Sequence, residues 1–233
     1  MSLVLGNLED WRLDPLQAVA PQLRLILRSR IIRNDLQPMS RLSEPELAKE
    51  YGVSRQPVRE AFITLVYEGL LEIRPQRGTF VKRIDYKSVL NGRFVREAVE
   101  ADIVRKLASD PDPVLVRDLR AQIKEQSNVS EGNANAFIEL DERFHRTLAR
   151  AAEVAESWEY LDTIKSQMDR VRFITQEEFP LATLIQQHER VVDMIEGGNV
   201  ASAEEAMRTH LGEILKSLPK IQSMYPQYFE GAP

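Results

Sequence analysis

Within residues 43–59 the chain starts a helix twice. Ser43-Glu44-Pro45-Glu46 sets a capping serine before a glutamate three residues on, with a proline in the first turn, which is how many α-helices open. Gly52 follows Tyr51 and suits the position just past a helix end, where the backbone turns left-handed. Then Val53-Ser54-Arg55 begins again. Ser54 stands at a second cap, and Pro57 falls in the next first turn, where its missing N–H is not needed. The second helix carries Val58, Ala61, Phe62 and Leu65 on one face and stops at Gly69. Two helices joined by so short a glycine turn read as a helix-turn-helix.

The flanks complete the unit. Upstream, Val19, Leu23, Ile26, Leu27 and Ile31 recur at helical spacing between Leu16 and Arg33, and Asn34–Ser40 with Pro38 ends that helix. Downstream, Leu70–Arg74 and Thr79–Arg83 are short β-prone runs around Pro75-Gln76-Arg77-Gly78, a hairpin signal. Three helices plus a β-hairpin wing make a winged helix-turn-helix over 11–84, behind a loose arm at 1–10 that shows no cap.

From Tyr86 on, the pattern is helical. Helices are expected near 88–108, 112–127, 133–153, 156–177, 181–196 and 200–218. The breaks are Asp110-Pro111-Asp112-Pro113, Ser130-Glu131-Gly132-Asn133, Phe179-Pro180 and Gly197-Gly198-Asn199. No strand is expected there. The fold class is therefore mainly α, with an all-α six-helix bundle over 86–225 following the winged domain.

Composition removes several function classes. Cysteine is absent, which excludes disulfides and thiolate chemistry, so any metal must be held by His, Asp or Glu. No apolar run approaches the roughly 20 residues of a membrane helix, and no charged start with an apolar stretch reads as a signal peptide. A cytoplasmic protein with no membrane partner is expected. The net charge of −5 divides unevenly: residues 1–85 carry +2, residues 86–233 carry −7, and the window 24–83 carries +5. A basic unit joined to an acidic remainder is compatible with nucleic-acid binding at one end.

In a helix-turn-helix the second helix enters the major groove by its N-terminal residues. Here these are Arg55, Gln56 and Arg59, with the two arginines four apart on one face. Arg pairs bidentately with guanine and Gln with adenine. First-turn N–H groups behind Ser43 and Ser54 favour phosphate. Arg77, Gly78 and Thr79 at the hairpin tip face backbone or minor groove. The alternative for each is a solvated basic surface.

The run Leu42–Ala48, then Tyr51–Ala61, Glu68-Gly69-Leu70 and Arg77-Gly78-Thr79-Phe80-Val81 resembles the GntR family of bacterial regulators, whose "VSRxPVREA" it matches almost entirely. The resemblance implies a homodimer on double-stranded, pseudo-palindromic operator DNA, contacted by Arg55, Arg59 and the wing around Arg77-Gly78. Three positions depart from the family. Asn34 stands where glycine is usual, Met39 where Pro-Gly is usual, and Pro45 where some members carry a DNA-contacting arginine.

The chain has three histidines, all in the helical part. Asp141 and His145 are four apart and share a helix face. His188 and His210 each lie 11 residues from Asn199 in the glycine break. If the flanking helices fold back antiparallel, 11 residues run about 16 Å out and the same distance back, setting the two imidazoles side by side. Asp141, His145, His188 and His210 can then meet in a bundle core. Three imidazoles and a carboxylate suit Zn²⁺ or Ni²⁺, with Co²⁺, Fe²⁺ and Mn²⁺ further candidates; the sequence does not choose among them.

The part over 88–218 resembles the all-helical FCD effector domain of the FadR-type branch, whose Asp, Phe-His and two late histidines are matched by Asp141, Phe144-His145, His188 and His210. The resemblance implies a divalent metal beside a cavity for a small organic acid. Arg96 matches an arginine of the first bundle helix that meets the ligand carboxylate, a task suited to its planar fork. Arg172, or Arg170 after it, is a second polar wall. Ala151–Ala155 lacks the Gly-Asn that commonly ends the metal-bearing helix, so a rearranged loop is expected.

The expected function is a ligand-responsive transcription regulator, a repressor and not an enzyme, whose effector shifts the DNA-binding domains. Two alternatives compete: a metalloenzyme-like bundle, and a purely structural metal. Glu142 and Glu189 adjoin ligands in sequence but point away by helical geometry, which leaves the enzyme reading without a base.

Overall fold

The computed structural model describes residues 11–129, 134–174 and 181–231. The expected arm at 1–10 and the breaks at 130–133 and 179–180 lie outside the described residues. The chain forms two compact units divided after Tyr86, and the first also takes up residues 225–231.

In the first unit α1 (Val19–Ile32), α2 (Glu44–Glu50) and α3 (Arg55–Tyr67) accompany a sheet of β1 (Arg41–Leu42), β2 (Leu71–Arg74) and β3 (Gly78–Val81) in the order β1-β3-β2. Leu16 lies before α1 and is exposed, so that helix starts later than its apolar spacing suggested. Ser43 caps α2, its Oγ accepting from Glu46 N–H at 3.4 Å. Gly52 has φ +65°, and Val53 N–H reaches Ala48 carbonyl at 2.9 Å to turn the chain into α3. Val58, Ala61, Phe62 and Leu65 then pack with Leu23, Leu27, Ile31, Leu71 and Val81 in one core. Arg24 and Arg28 hold Glu68 at 2.7 and 3.2 Å, pinning the end of α3 to α1. β2 and β3 pair antiparallel with Leu71 opposite Val81 and Arg74 opposite Gly78, which is the expected wing. Three short strands were not expected: β1, which adds to the wing hairpin, and β4 (Ile84–Asp85) and β5 (Phe229–Glu230), which pair parallel. Asn34 and Met39, standing where the family favours glycine, both take positive φ, at 65° and 70°.

The second unit contains α4 (Tyr86–Ser109), which begins at the division, α5 (Pro113–Ser127), α6 (Ala134–Ala151), α7 (Ala155–Ile164), α8 (Ser166–Ile174), α9 (Leu181–Glu196) and α10 (Val200–Met224). Val104, Leu119, Phe144, Leu148, Val191, Ile195 and Met207 form its centre. The helix expected over 156–177 is two helices divided at Lys165. A Cβ on Gly92 of α4 would stand 2.8 Å from the Ile164 carbonyl oxygen, so α4 presses directly on the break. Lys165 itself is buried among Glu142, Asp162 and Asp169. The last helix runs beyond the expected 218, through Pro219 to Met224, keeping Leu218 and Ile221 buried.

The loop after α6 ends the helix without the Gly-Asn pair. Glu153 takes φ 63°, its N–H bonding Arg150 carbonyl, while Val154 N–H bonds Ala149 carbonyl, both at 3.0 Å. This is the six-to-one helix stop, with glutamate in glycine's place. A left-handed L-residue costs about 1–2 kcal/mol, of which glycine's greater unfolded freedom returns part. Glu153→Gly is therefore expected to stabilise the protein by about 0.5–1 kcal/mol, read as a higher urea midpoint at unchanged slope.

Candidate metal centre and nucleic-acid interface

The turn between α9 and α10 sets the register of the site. Gly198 adopts φ +65°, and Asn199 N–H bonds Met194 carbonyl at 3.0 Å. The two helices return antiparallel, and His188 Nε2 comes 3.2 Å from His210 Nε2. His145 Nε2 of α6 lies 3.1 Å from His210 Nε2. Asp141 Oδ1 lies 3.5 Å from His188 Nε2 and 3.8 Å from His145 Nε2. One ligand atom from each of Asp141, His145, His188 and His210 lies within 4.8 Å of every other, and all four residues are buried.

Each imidazole is oriented from behind. His145 Nδ1 abuts Glu100 Oε2 of α4, and Glu100 also holds Arg96. His188 Nδ1 is 2.8 Å from Gln126 Oε1, while the Gln126 amide nitrogen donates to Leu140 carbonyl at 3.3 Å. His210 Nδ1 is 3.1 Å from Gln187 Oε1, while the Gln187 nitrogen donates to Glu213 at 2.9 Å. The oxygens facing Nδ1 of His188 and His210 are acceptors, so these two Nδ1 atoms donate and their Nε2 atoms turn lone pairs inward, and the Glu100 carboxylate against His145 Nδ1 favours the same tautomer there. Phe144 stacks on His188 at 4.3 Å between ring centroids, and Trp158 lies parallel to His145 at 6.2 Å.

Charge favours the same arrangement. Burial, reinforced by His145, Arg172 and Arg96 against the pull of Asp141, pushes His188 down to about 3. His210 is held well below its ordinary value by burial, His188 and His145. Burial opposes ionisation of Asp141, but the Arg172 guanidinium beside it, with Arg96 farther off, outweighs it and keeps the carboxyl far below the usual range. Three inward lone pairs and a carboxylate oxygen without a hydrogen-bond donor repel one another unless a cation lies between them. Bonds of about 2.1 Å to one tetrahedral ion would separate its ligands by about 3.4 Å; four of the pairs stand at 3.1–3.8 Å and all lie within 4.8 Å. The residues fit a divalent metal.

Arg172 Nη2 pairs with Asp141 Oδ2 at 2.7 Å. Arg170 is buried elsewhere and donates to Gln167. Arg96 is 3% exposed, and its Nη2 has no hydrogen-bond partner. Arg96, Arg172 and His210 line one cavity beside the cluster. Glu142 turns away to Lys165, Arg146 and Trp158. Glu100, Gln126 and Gln187 were missed by sequence reasoning. Only Glu100 left a signal, four residues after Arg96 on one helix. Glu100→Gln is expected to lower Zn²⁺ affinity about 10–100-fold by removing the carboxylate behind His145, measured by chelator competition.

In the first unit Arg55, Gln56 and Arg59 are exposed on the opening turns of α3. Gln56 is tied along the helix to Glu60 at 2.9 Å. Ser54 occupies the cap position but makes no side-chain cap bond, and the Ser43 hydroxyl is engaged by Glu46 N–H. Pro45 sits in the first turn of α2. Arg77 is exposed at the wing turn, with Gly78 and Thr79 on β3. Arg41 of β1, also exposed, lays its guanidinium against Gly78 and adds a cation that sequence reasoning did not single out.

Residues 20–81 match the bacterial regulatory proteins of the gntR family, and residues 93–213 match the FCD domain. The chain belongs to the GntR family. It is a DNA-binding transcription regulator of the FCD branch. This GntR protein is 34% identical over 222 residues to the HTH-type transcriptional repressor RspR of Escherichia coli, covering 94% of this chain and 97% of that one. It is 29% identical over 198 residues to a probable D-xylose utilization operon transcriptional repressor of Paenarthrobacter nicotinovorans, covering 84% and 87%. Its fold matches E. coli McbR/YncC at a TM-score of 0.73 and 16% identity, over 90% of this chain and 100% of that one. Among the described residues no helix is long and apolar enough to cross a membrane.

Proposed function

We propose that this GntR regulator is a ligand-responsive repressor, acting in the cytoplasm as a homodimer on a pseudo-palindromic operator. Residues 11–84 read DNA through Arg55, Gln56, Arg59 and the wing at Arg77, Gly78 and Thr79, with Ser43 and Ser54 at phosphate-facing helix starts. Residues 86–225 bind the signal. Asp141, His145, His188 and His210 hold a divalent metal, Zn²⁺ or Ni²⁺ before Co²⁺, Fe²⁺ or Mn²⁺. The effector is a small carboxylate that meets Arg96 and Arg172. It binds without being turned over.

The observation that carries this reading is a set of inward-facing acceptors beside a buried guanidinium N–H that lacks one. When bound, the metal supplies a Lewis-acid seat for an oxygen donor. Arg96 supplies a directional donor for the same anion, and Glu100 holds both Arg96 and His145 in place. A ligand changes operator occupancy only through a difference in its affinity for the two states of the dimer. That coupling is typically 5–150-fold.

Fluorescence anisotropy on operator DNA, selected from a random-sequence pool with the purified protein, tests the reading. Saturating acid is expected to weaken operator binding of the metal-loaded protein at least about fivefold. Arg96→Lys keeps a cation beside Glu100 but loses the fork, and is expected to abolish the response while retaining metal. Metal binding with no response to any carboxylate would leave the metal structural. Turnover of an acid would make the protein an enzyme.

A further inference from the structure

We infer that the effector is an aliphatic monocarboxylate whose chain lies along α10, and that dicarboxylates and polyhydroxy acids are rejected. This rests on the carboxylate reading above and specifies its ligand. Arg96, Arg172 and His210 form the polar end of the cavity. Beyond them the wall is Met168 and Val171 of α8, Leu184 of α9, and Leu211, Ile214 and Ile221 of α10. None of these six side chains offers a hydrogen-bond donor. His210, Ile214, Ser217 and Ile221 recur on one face of α10, so the wall extends about 16 Å from the metal end at 1.5 Å per residue.

The anchor is the Arg96 Nη2 group, a buried donor without a partner at the polar end of a cavity whose remaining wall is mostly aliphatic. Hydroxyl groups placed along that wall would lose water and find no replacement among its aliphatic side chains. Among the described residues two polar side chains interrupt the wall. Ser217 turns its hydroxyl onto its own helix, donating to Ile214 carbonyl at 3.2 Å. Glu213 is an anion gripped by Gln187 at 2.9 Å and Lys216 at 2.8 Å. Among the described residues it is the one charged side chain on the wall past the polar end, so a second carboxylate on the ligand would meet like charge. An alkyl chain fits all of these conditions, and each buried methylene adds about three- to fourfold in affinity.

The test is calorimetric titration of the full-length, Zn²⁺-loaded protein with butanoate, hexanoate and octanoate, then with succinate, citrate, gluconate and octan-1-ol. Affinity is expected to rise about tenfold for each two-carbon step along the first series. Succinate, citrate and gluconate are expected to bind at least about tenfold more weakly than hexanoate, because they bury charge or hydroxyls against apolar wall. Octan-1-ol, lacking the carboxylate, is expected to bind more weakly than octanoate. Ile214→Ser should flatten the chain-length series, with Leu184→Ser as the second variant should the first fail to fold. Glu213→Gln should raise succinate affinity relative to butanoate, and an unchanged ratio would overturn the rejection of dicarboxylates. Citrate or gluconate binding more tightly than hexanoate, or octan-1-ol matching octanoate, would overturn the aliphatic-acid assignment. No binding by any acid, with Zn²⁺ content intact, would instead bring down the carboxylate reading on which it rests.

Discussion

Replacing His188 and His210 together by alanine is expected to reduce bound divalent metal from about one ion per chain to near zero, measured by elemental mass spectrometry. Their Nε2 atoms lie 3.2 Å apart, and the pair supplies half of the ligand set. Because both residues are buried, the variant also leaves holes, so the wild-type protein carries a second arm. Stripping the metal with a chelator and returning Zn²⁺ at about a thousandfold over its Kd should restore about 4 kcal/mol. For a domain of this size that is roughly 10 °C in melting temperature. The stripped protein should also be acid-sensitive. His188 in the folded chain is held near 3, below the ordinary 6.5, so the unfolded chain takes up its proton first. That contribution to stability is whole above pH 6.5 and is lost as pH falls toward 3. Wild-type protein that takes up no Zn²⁺ or Ni²⁺ would remove the site.

Arg55→Ala combined with Arg59→Ala is expected to weaken binding to the selected operator by roughly 10² to 10⁴-fold. A good bidentate base contact is worth about 1–3 kcal/mol, and the two side chains project from separate turns with no shared partner. Gln56→Ala should cost less, because Gln56 must first leave Glu60, to which it is bonded at 2.9 Å. The comparison that decides the role of the arginines is random DNA. A base-reading pair loses most of its effect there, whereas a phosphate-binding pair loses as much on random as on specific sequence. Equal loss on both would place these arginines on the backbone and move base recognition to other residues.

Much of this protein is legible in local sequence. Ser43, Glu46 and Gly52 act within one helical turn of where they stand, so the start of α2 and the turn into α3 follow from neighbouring residues alone. The Leu71 to Val81 register follows from a hairpin whose turn residues are adjacent. The meeting of His188 and His210 follows from equal spacing about a glycine break, because helical rise is constant. Glu153 shows the limit of reading by residue type. The left-handed stop survives without glycine, since the bonds to Ala149 and Arg150 hold the backbone there.

The remainder required the packed structure. Glu100 behind His145 and Gln126 behind His188 are joined across helices by the rotation and crossing of whole elements, which no spacing within one helix encodes. The division at Lys165 arises where α4 presses Gly92 against the Ile164 carbonyl and three carboxylates surround one buried ammonium. The pairing of β4 with β5 joins segments that lie far apart in the chain. The sequence by itself determined the helices and hairpin of the winged unit, most helices of the second unit, the two turns that orient the paired helices, and the four ligand candidates, because each depends on contacts a few residues apart. Only the tertiary structure decided which nitrogen of each histidine faces the centre, because the acceptors that set the tautomers of His145 and His188 come from other helices.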